Sequence, residues 1–326
     1  MIFGIDLGST AREVDWNLIK ENGVSFAIIK ATQGSYRANP NLNGLAEGAR
    51  KAGMVVGLYH WCDPLSDARA QADFFLQKTN SLSYDFAALD FEQYWADWAE
   101  WPTRIQKKLS PQVISRAGQL TANAIRDGLR FSDHPAAGKK KVLVYTRASF
   151  IQEYAAPALD WLVNYPLWIA HWANPAGSVS LTWQELLEKE VPQSMQPLLP
   201  EGIKRWIFHQ WSGDRYILPG LNGEKADLNR FDGTLADLYR WLGLPQPITA
   251  ESRLEKLKTE MERFTRQYGR LNTALQAYVG EEDNVAEDRI AADSIADNVT
   301  ADRSAADCVG VADNAAENLF KSSGAG

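Results

Sequence analysis

Cysteine and histidine are scarce in this chain, with two and four copies among 326 residues. Cys62 follows an apolar run and Cys308 sits in a polar tail, so no disulfide framework is expected. The histidines are scattered without zinc-site spacing, and neither a metal nor any other cofactor is expected. Long apolar runs are also missing. None reaches the roughly 18 residues that would suggest a membrane-spanning helix. No basic segment followed by a long apolar one precedes Ile2-Phe3-Gly4-Ile5-Asp6, so no secretory signal is visible. No basic stripe marks a nucleic-acid surface. A Gly-x-Ser-x-Gly nucleophile motif is absent too, which leaves His60 and His171 without a serine partner.

Large side chains are plentiful. Hydrophobic residues make up 45% and aromatics 11%, including 12 tryptophans, enough for a sizeable core. Tryptophan also suits sugar binding, because its flat apolar face meets a pyranose ring, although any single Trp is first a candidate for the core. Acidic residues far outnumber basic ones in 281–326, so the net charge of −7 belongs to the tail and the body is nearly neutral.

The body alternates two kinds of segment. Apolar runs at 2–6, 26–30, 55–60, 86–92, 142–146, 167–172 and 206–211 read as strands. Helix-like stretches at 42–52, 67–77, 111–127 and 150–162 lie between several of them. Continuous apolar strands imply burial on both faces, and strand–helix–strand repetition leads to a parallel sheet, open or closed into a barrel. Such folds carry chemistry at the C-terminal strand ends, where Asp6, Lys30, His60, Glu92 and Trp211 fall. The body spans 1–244 and a Pro-containing linker 245–250. Beyond it, Leu254, Leu257, Met261, Phe264, Tyr268, Leu271, Leu275 and Tyr278 recur at spacings of 3 and 4, which predicts a coiled-coil helix over 251–279 that assembles a homo-oligomer. Gly280 should stop it. Residues 280–326, with recurring Ala-Asp pairs and few large apolar residues, are expected to be disordered.

Leu89-Asp90-Phe91-Glu92 is the motif with the most chemistry. Side chains alternate along a strand, so Asp90 and Glu92 share a face. Two carboxylates in an apolar surround disfavour each other's ionisation, and one retains its proton. A protonated acid beside an ionised partner is what cleavage of a glycosidic bond requires.

Around that motif the body resembles glycoside hydrolase family 25, the Chalaropsis-type lysozymes or N-acetylmuramidases, over about residues 3–241. The resemblance rests on ordered pieces: Gly4-Ile5-Asp6 with Val14-Asp15-Trp16, Phe26–Gly34, Gly57-Leu58-Tyr59-His60-Trp61, Gln71–Phe75, the Leu89–Glu92 tetrad, Val144-Tyr145-Thr146, Leu167–Trp172, His209-Gln210-Trp211 and Ala226–Phe231. It implies an irregular, flattened TIM-like (β/α) barrel and hydrolysis of the β-1,4 bond between N-acetylmuramic acid and N-acetylglucosamine in peptidoglycan. It implies Glu92 as general acid, Asp90 as its assistant, and Asp6 and Asp227 as further carboxylates of the site. Lys30, Tyr59, Tyr145, Trp168, Gln210 and Trp211 are the expected substrate-binding residues. Gln33, Trp61 and His209 depart from the family pattern without removing a carboxylate.

Two routes stay open. Attack by the sugar's own N-acetyl oxygen, with Asp90 stabilising the charged ring, retains configuration; displacement by water with Asp6 or Asp227 as base inverts it. The resemblance favours the first. A phage endolysin or a bacterial wall-lytic enzyme fits, acting at the cell wall and, without a visible signal, held in the cytoplasm until phage-type lysis. A non-catalytic carbohydrate-binding module and a chitinase-like hydrolase are the competing readings.

Overall fold

The computed structural model describes residues 1–131, 141–174, 177–189, 196–246 and 250–293. Its strands are β1 (Ile2–Leu7), β2 (Val24–Gln33), β3 (Arg37–Ala38), β4 (Val55–Trp61), β5 (Phe86–Asp90), β6 (Lys141–Thr146), β7 (Leu167–Ala170), β8 (Val179–Ser180), β9 (Phe208–Ile217) and β10 (Lys225–Phe231). The α-helices are α1 (Trp16–Glu21), α2 (Leu42–Lys51), α3 (Ala68–Thr79), α4 (Pro111–Phe131), α5 (Ala148–Tyr154), α6 (Leu159–Leu162), α7 (Trp183–Lys189), α8 (Leu235–Leu242) and α9 (Ala250–Asp293).

Eight strands close a barrel in the order β1-β2-β4-β5-β6-β7-β9-β10 and back to β1, with β3 and β8 as short side pairings. Neighbours from β1 to β9 around the ring are parallel; β10 runs antiparallel to both β9 and β1 and shuts the gap. The predicted strands all appear, but β10 does not read as a strand in sequence, because Lys225-Ala226-Asp227-Leu228-Asn229-Arg230-Phe231 is too polar to form an apolar run.

The two-sided burial of the strands produces two apolar layers. Ile5, Ala27, Ile29, Val56, Leu58, Ala87 and Leu89 face the helices. Phe26, Ile28, Val55, Phe86, Ala88, Leu143, Phe208 and Phe231 fill the barrel. Phe208 packs against Phe26 and Phe86 at centroid separations of 4.9 and 5.2 Å. Each such buried ring contributes about 1.5–3 kcal/mol. Gly4 and Gly57 make room for them, since a Cβ at either position would run into the ring of Phe26 or Phe86. The side chain of Asp67 caps the first turn of α3, and a Thr234–Asp237 capping box starts α8.

Residues Ile248–Gly326 form a separate unit. Within it α9 continues through Gly280 to Asp293, further than expected. One glycine costs a helix only about 1 kcal/mol, and the good helix formers Glu281, Glu282, Ala286 and Glu287 follow it. The predicted tail beyond 293, Cys308 and linker positions 247–249 lie outside the described residues.

Candidate active site

Alternation along the strands decides which residues meet at the barrel mouth. In β5, Phe86 and Ala88 point inward, so Asp90 does too, while Ala87, Leu89 and Phe91 join the outer layer. The Phe91 amide still bonds to the Tyr145 carbonyl (2.9 Å), so the extended course carries on to Glu92. The same logic places Asp6 of β1, Lys30 of β2, Tyr59 of β4, Tyr145 of β6 and Gln210 of β9 around one ring. Asp227 and Asn229 arrive from the start and middle of the antiparallel β10.

Asp6 and Asp227 are register partners on β1 and β10. Like charges so placed repel. Gln210 lies between them, its Nε2 donating to Asp6 Oδ2 (2.9 Å) and Asp227 Oδ2 (3.3 Å). Its Oε1 accepts from the Tyr145 hydroxyl (2.9 Å) and Trp172 Nε1 (3.0 Å). Two donors on the oxygen side leave the amide a single sensible orientation. Asn229 works in the same way: Nδ2 donates to Asp6 Oδ2 (2.7 Å) and Oδ1 accepts from Trp168 Nε1 (2.8 Å). The Asp214 amide, at a left-handed φ of 50°, donates to Asp227 Oδ1 (2.7 Å).

Burial pushes every one of these carboxyls up. Asp6 rises to about 6, mainly by desolvation and then by Glu92, against the hydrogen bonds from Gln210 and Asn229. Asp90 stands well above the usual carboxylate range through burial and the adjacent Glu92. Glu92 is raised by burial, with Arg147 and Lys30 pulling it back. Asp227 is raised well above its ordinary value by burial and by Asp6. Asp90 Oδ1 is buried and has no hydrogen-bond partner among the described residues. Lys30 is lowered by desolvation, and its Nζ bonds to Gln33 Oε1 (3.1 Å) and sits 4.4 Å from the Trp61 ring centroid. Because position 33 is an amide and not a carboxylate, the ammonium charge of Lys30 stays directed at Asp90 and Glu92.

A groove of about 490 Å³ opens over this ring, lined by Glu92, Asp227, Tyr145, Arg147, Trp61 and Trp172, among others. Of the expected substrate-binding residues, Tyr145 lines it and Gln210 stands just beneath. Tyr59 is buried at 8% exposure and packs on Trp168. Trp168, at 1% exposure, fills the barrel interior and acts on Asn229 instead of facing the groove. Trp211 does not belong to the groove at all. It is fully buried in the outer layer against Tyr216, because its neighbour Gln210 faces inward and alternation turns position 211 outward. His60 is fully buried, whereas His171 lines the groove. His60 bonds to Thr32 and Gln71, and His171 Nδ1 accepts from the Leu198 amide.

Arg147, Asp214, Trp101 and Trp172 line the groove and were not among the expected site residues. Arg147 was legible in principle: it lies two positions past Tyr145, the relation that links Glu92 to Asp90. Asp214 was not, since it falls where the β9–β10 register slips.

The comparisons with known proteins agree on one family. Over 238 residues the chain is 26% identical to Lysozyme M1 of Streptomyces globisporus, spanning 72% of this chain and 69% of that one. The bacterial lysozyme of Streptomyces coelicolor superimposes with a TM-score of 0.54 at 25% identity, over 74% of this chain and 96% of the other. The catalytic domain of endolysin ply40, from bacteriophage P40 of Listeria monocytogenes, shares the fold at a TM-score of 0.52 and 17% identity, over 74% and 97%. Residues 5–221 match the family described as Glycosyl hydrolases family 25. With its closed eight-stranded barrel and four carboxyls gathered at one mouth, the chain belongs to glycosyl hydrolase family 25.

Proposed function

We propose that this hydrolase is a muramidase, cleaving the β-1,4 bond between N-acetylmuramic acid and N-acetylglucosamine in peptidoglycan, with Glu92 as the general acid. The observation that carries this reading is the crowding of Asp6, Asp90, Glu92 and Asp227 at one desolvated barrel mouth, faced by the cations Lys30 and Arg147. Four ionised carboxylates against two cations would leave net negative charge in a low-dielectric site, so protons are retained. Among the described residues Glu92 is the carboxyl that both lines the groove and holds a raised pKa without a hydrogen-bonded partner, so it is placed to protonate a leaving oxygen. Asp90 assists. Its unpartnered Oδ1 suits the N–H of a substrate acetamido group, whose oxygen then attacks the anomeric carbon. That route retains configuration. Asp6 and Asp227, tied through Gln210, hold the charge balance. Tyr145, Trp61 and Trp172 supply groove wall. The substrate places the activity at the bacterial cell wall, in the manner of an endolysin or autolytic enzyme.

Muropeptides released from purified wall and analysed by mass spectrometry test this. New reducing ends on N-acetylmuramic acid are expected. Reducing ends on N-acetylglucosamine would replace the muramidase with a glucosaminidase or chitinase-like enzyme.

The heptad helix serves assembly. Leu254, Leu257, Met261, Phe264, Tyr268, Leu271, Leu275 and Tyr278 are all more than half exposed in the single chain, an apolar seam that another copy would cover. Linked catalytic domains gain avidity for a polymeric substrate. Light scattering should give an oligomer for the full chain and a monomer for the Leu257→Glu/Leu271→Glu variant. A monomeric parent protein would dismiss the coiled coil.

A further inference from the structure

The geometry points to Arg147 as a specificity residue that binds a substrate carboxylate in the groove, so that the site distinguishes acid-bearing glycan from neutral glycan. The inference rests on the peptidoglycan reading and adds a chemical class of recognition to it. Arg147 follows β6 directly with an extended backbone (φ −134°, ψ 148°), so it continues the alternation that turns Tyr145 toward the mouth. Its side chain lines the same groove as Glu92. Its Nε is buried without a hydrogen-bond partner, and Arg147 forms no ion pair among the described residues.

A desolvated guanidinium donor left unmatched is costly, and the planar fork is shaped for bidentate contact with a carboxylate. Lys30, the other cation acting on Glu92, is differently placed. It is occupied by Gln33 and held against the face of Trp61. Nor does Glu92 consume the charge of Arg147 in the working state, since a general acid enters the reaction protonated. The arrangement leaves a fixed, directional cation beside the scissile position. N-Acetylglucosamine is neutral and has nothing to offer it. The N-acetylmuramic acid side arm ends either in its own lactyl carboxylate or, when substituted, in the carboxylates of a peptide stem. A carboxylate on that arm is therefore the ligand.

Calorimetric binding in the Glu92→Gln protein, which keeps the groove and removes turnover, separates the sources. Three ligands are compared: a stem-bearing muropeptide, the same glycan after amidase removal of the stem, and a chitooligosaccharide of equal length. Adding Arg147→Gln is expected to weaken one or both of the first two by at least about tenfold, the range for a charged hydrogen bond, and to leave the third within about twofold. Loss confined to the stem-bearing ligand assigns the stem carboxylate; loss on the stripped glycan assigns the lactyl group. Arg147→Lys should recover part of the affinity, as a point charge without the fork. Equal weakening of all three ligands, or of none, overturns the inference and reduces Arg147 to a charge acting on Glu92. Failure of the Glu92→Gln protein to bind any glycan would instead overturn the peptidoglycan reading itself.

Discussion

Glu92→Gln is expected to lower muropeptide release by about 10²–10⁴-fold, the contribution of a positioned general acid. Glutamine keeps the volume and polarity of the side chain but has no transferable proton. The fold should be untouched, because Glu92 lies beyond the last residue of β5 and no ladder bond depends on its side chain. Circular dichroism and the thermal midpoint check that. The pH dependence gives the sharper signature. Burial raises the Glu92 pKa above the ordinary glutamate range, against the pull of Arg147 and Lys30. Activity should then hold on the acidic side of that raised value and fall as the pH climbs through it, since the acid must be protonated to act. In the variant this alkaline limb of kcat/KM should vanish with the activity. Residual release within about tenfold of the parent would show that the proton comes from another group.

Asp6→Asn should separate stability from activity. The carboxyl of Asp6 is buried, and its pKa in the folded protein lies near 6, against about 3.9 in an unfolded chain. A carboxyl with a raised folded pKa binds more protons in the native state between those values. By linkage, stability falls as pH rises from about 4 to about 6 and stays low above it. Two units correspond to a penalty on the order of 3 kcal/mol at neutral pH. The asparagine Oδ1 can accept the same bonds from Gln210 and Asn229 that Asp6 Oδ2 accepts now, without the charge. The variant is thus expected to be more stable than the parent at pH 7, with the gain shrinking toward zero near pH 4. Its activity should drop by at least about tenfold as the charge balance at the mouth changes. Denaturant midpoints at the two pH values, paired with lysis assays, read both effects. A variant equally destabilised at both pH values would mean that Asp6 serves mainly as a hydrogen-bond anchor.

Glu92 and Asp90 were readable because one extended segment, the end of β5 and the two residues that continue it, carries both. Period-two alternation is a local property, and two residues on a single extended segment need no knowledge of the rest of the fold. The apolar runs of β1, β2, β4, β5, β6, β7 and β9 were readable for the same reason, since a doubly covered strand announces itself in composition. Trp211 shows the limit of reading a motif as a block. Gln210 and Trp211 are both expected at the substrate, yet neighbours on a strand face opposite ways, and once Gln210 is inward Trp211 cannot be. β10 was hidden by its own usefulness. The inward residues Asp227 and Asn229 are polar because the mouth needs them, and that polarity erases the strand pattern.

The amino-acid sequence alone determined the alternation of strand and helix, the carboxylate pair at the end of β5, the family likeness and the heptad seam. Each is read from residues close together in the chain or, for the family likeness, from short motifs taken in order. Only the tertiary structure decided that Gln210 bridges Asp6, 204 positions away, to Asp227, that the antiparallel β10 closes the barrel, and that Arg147 lines the groove with Glu92 and has no ion pair among the described residues. Those relations arise when the barrel closes and brings distant strand ends to one mouth. There the loss of water, which no local pattern encodes, raises the carboxyl pKa values and gives the site its chemistry.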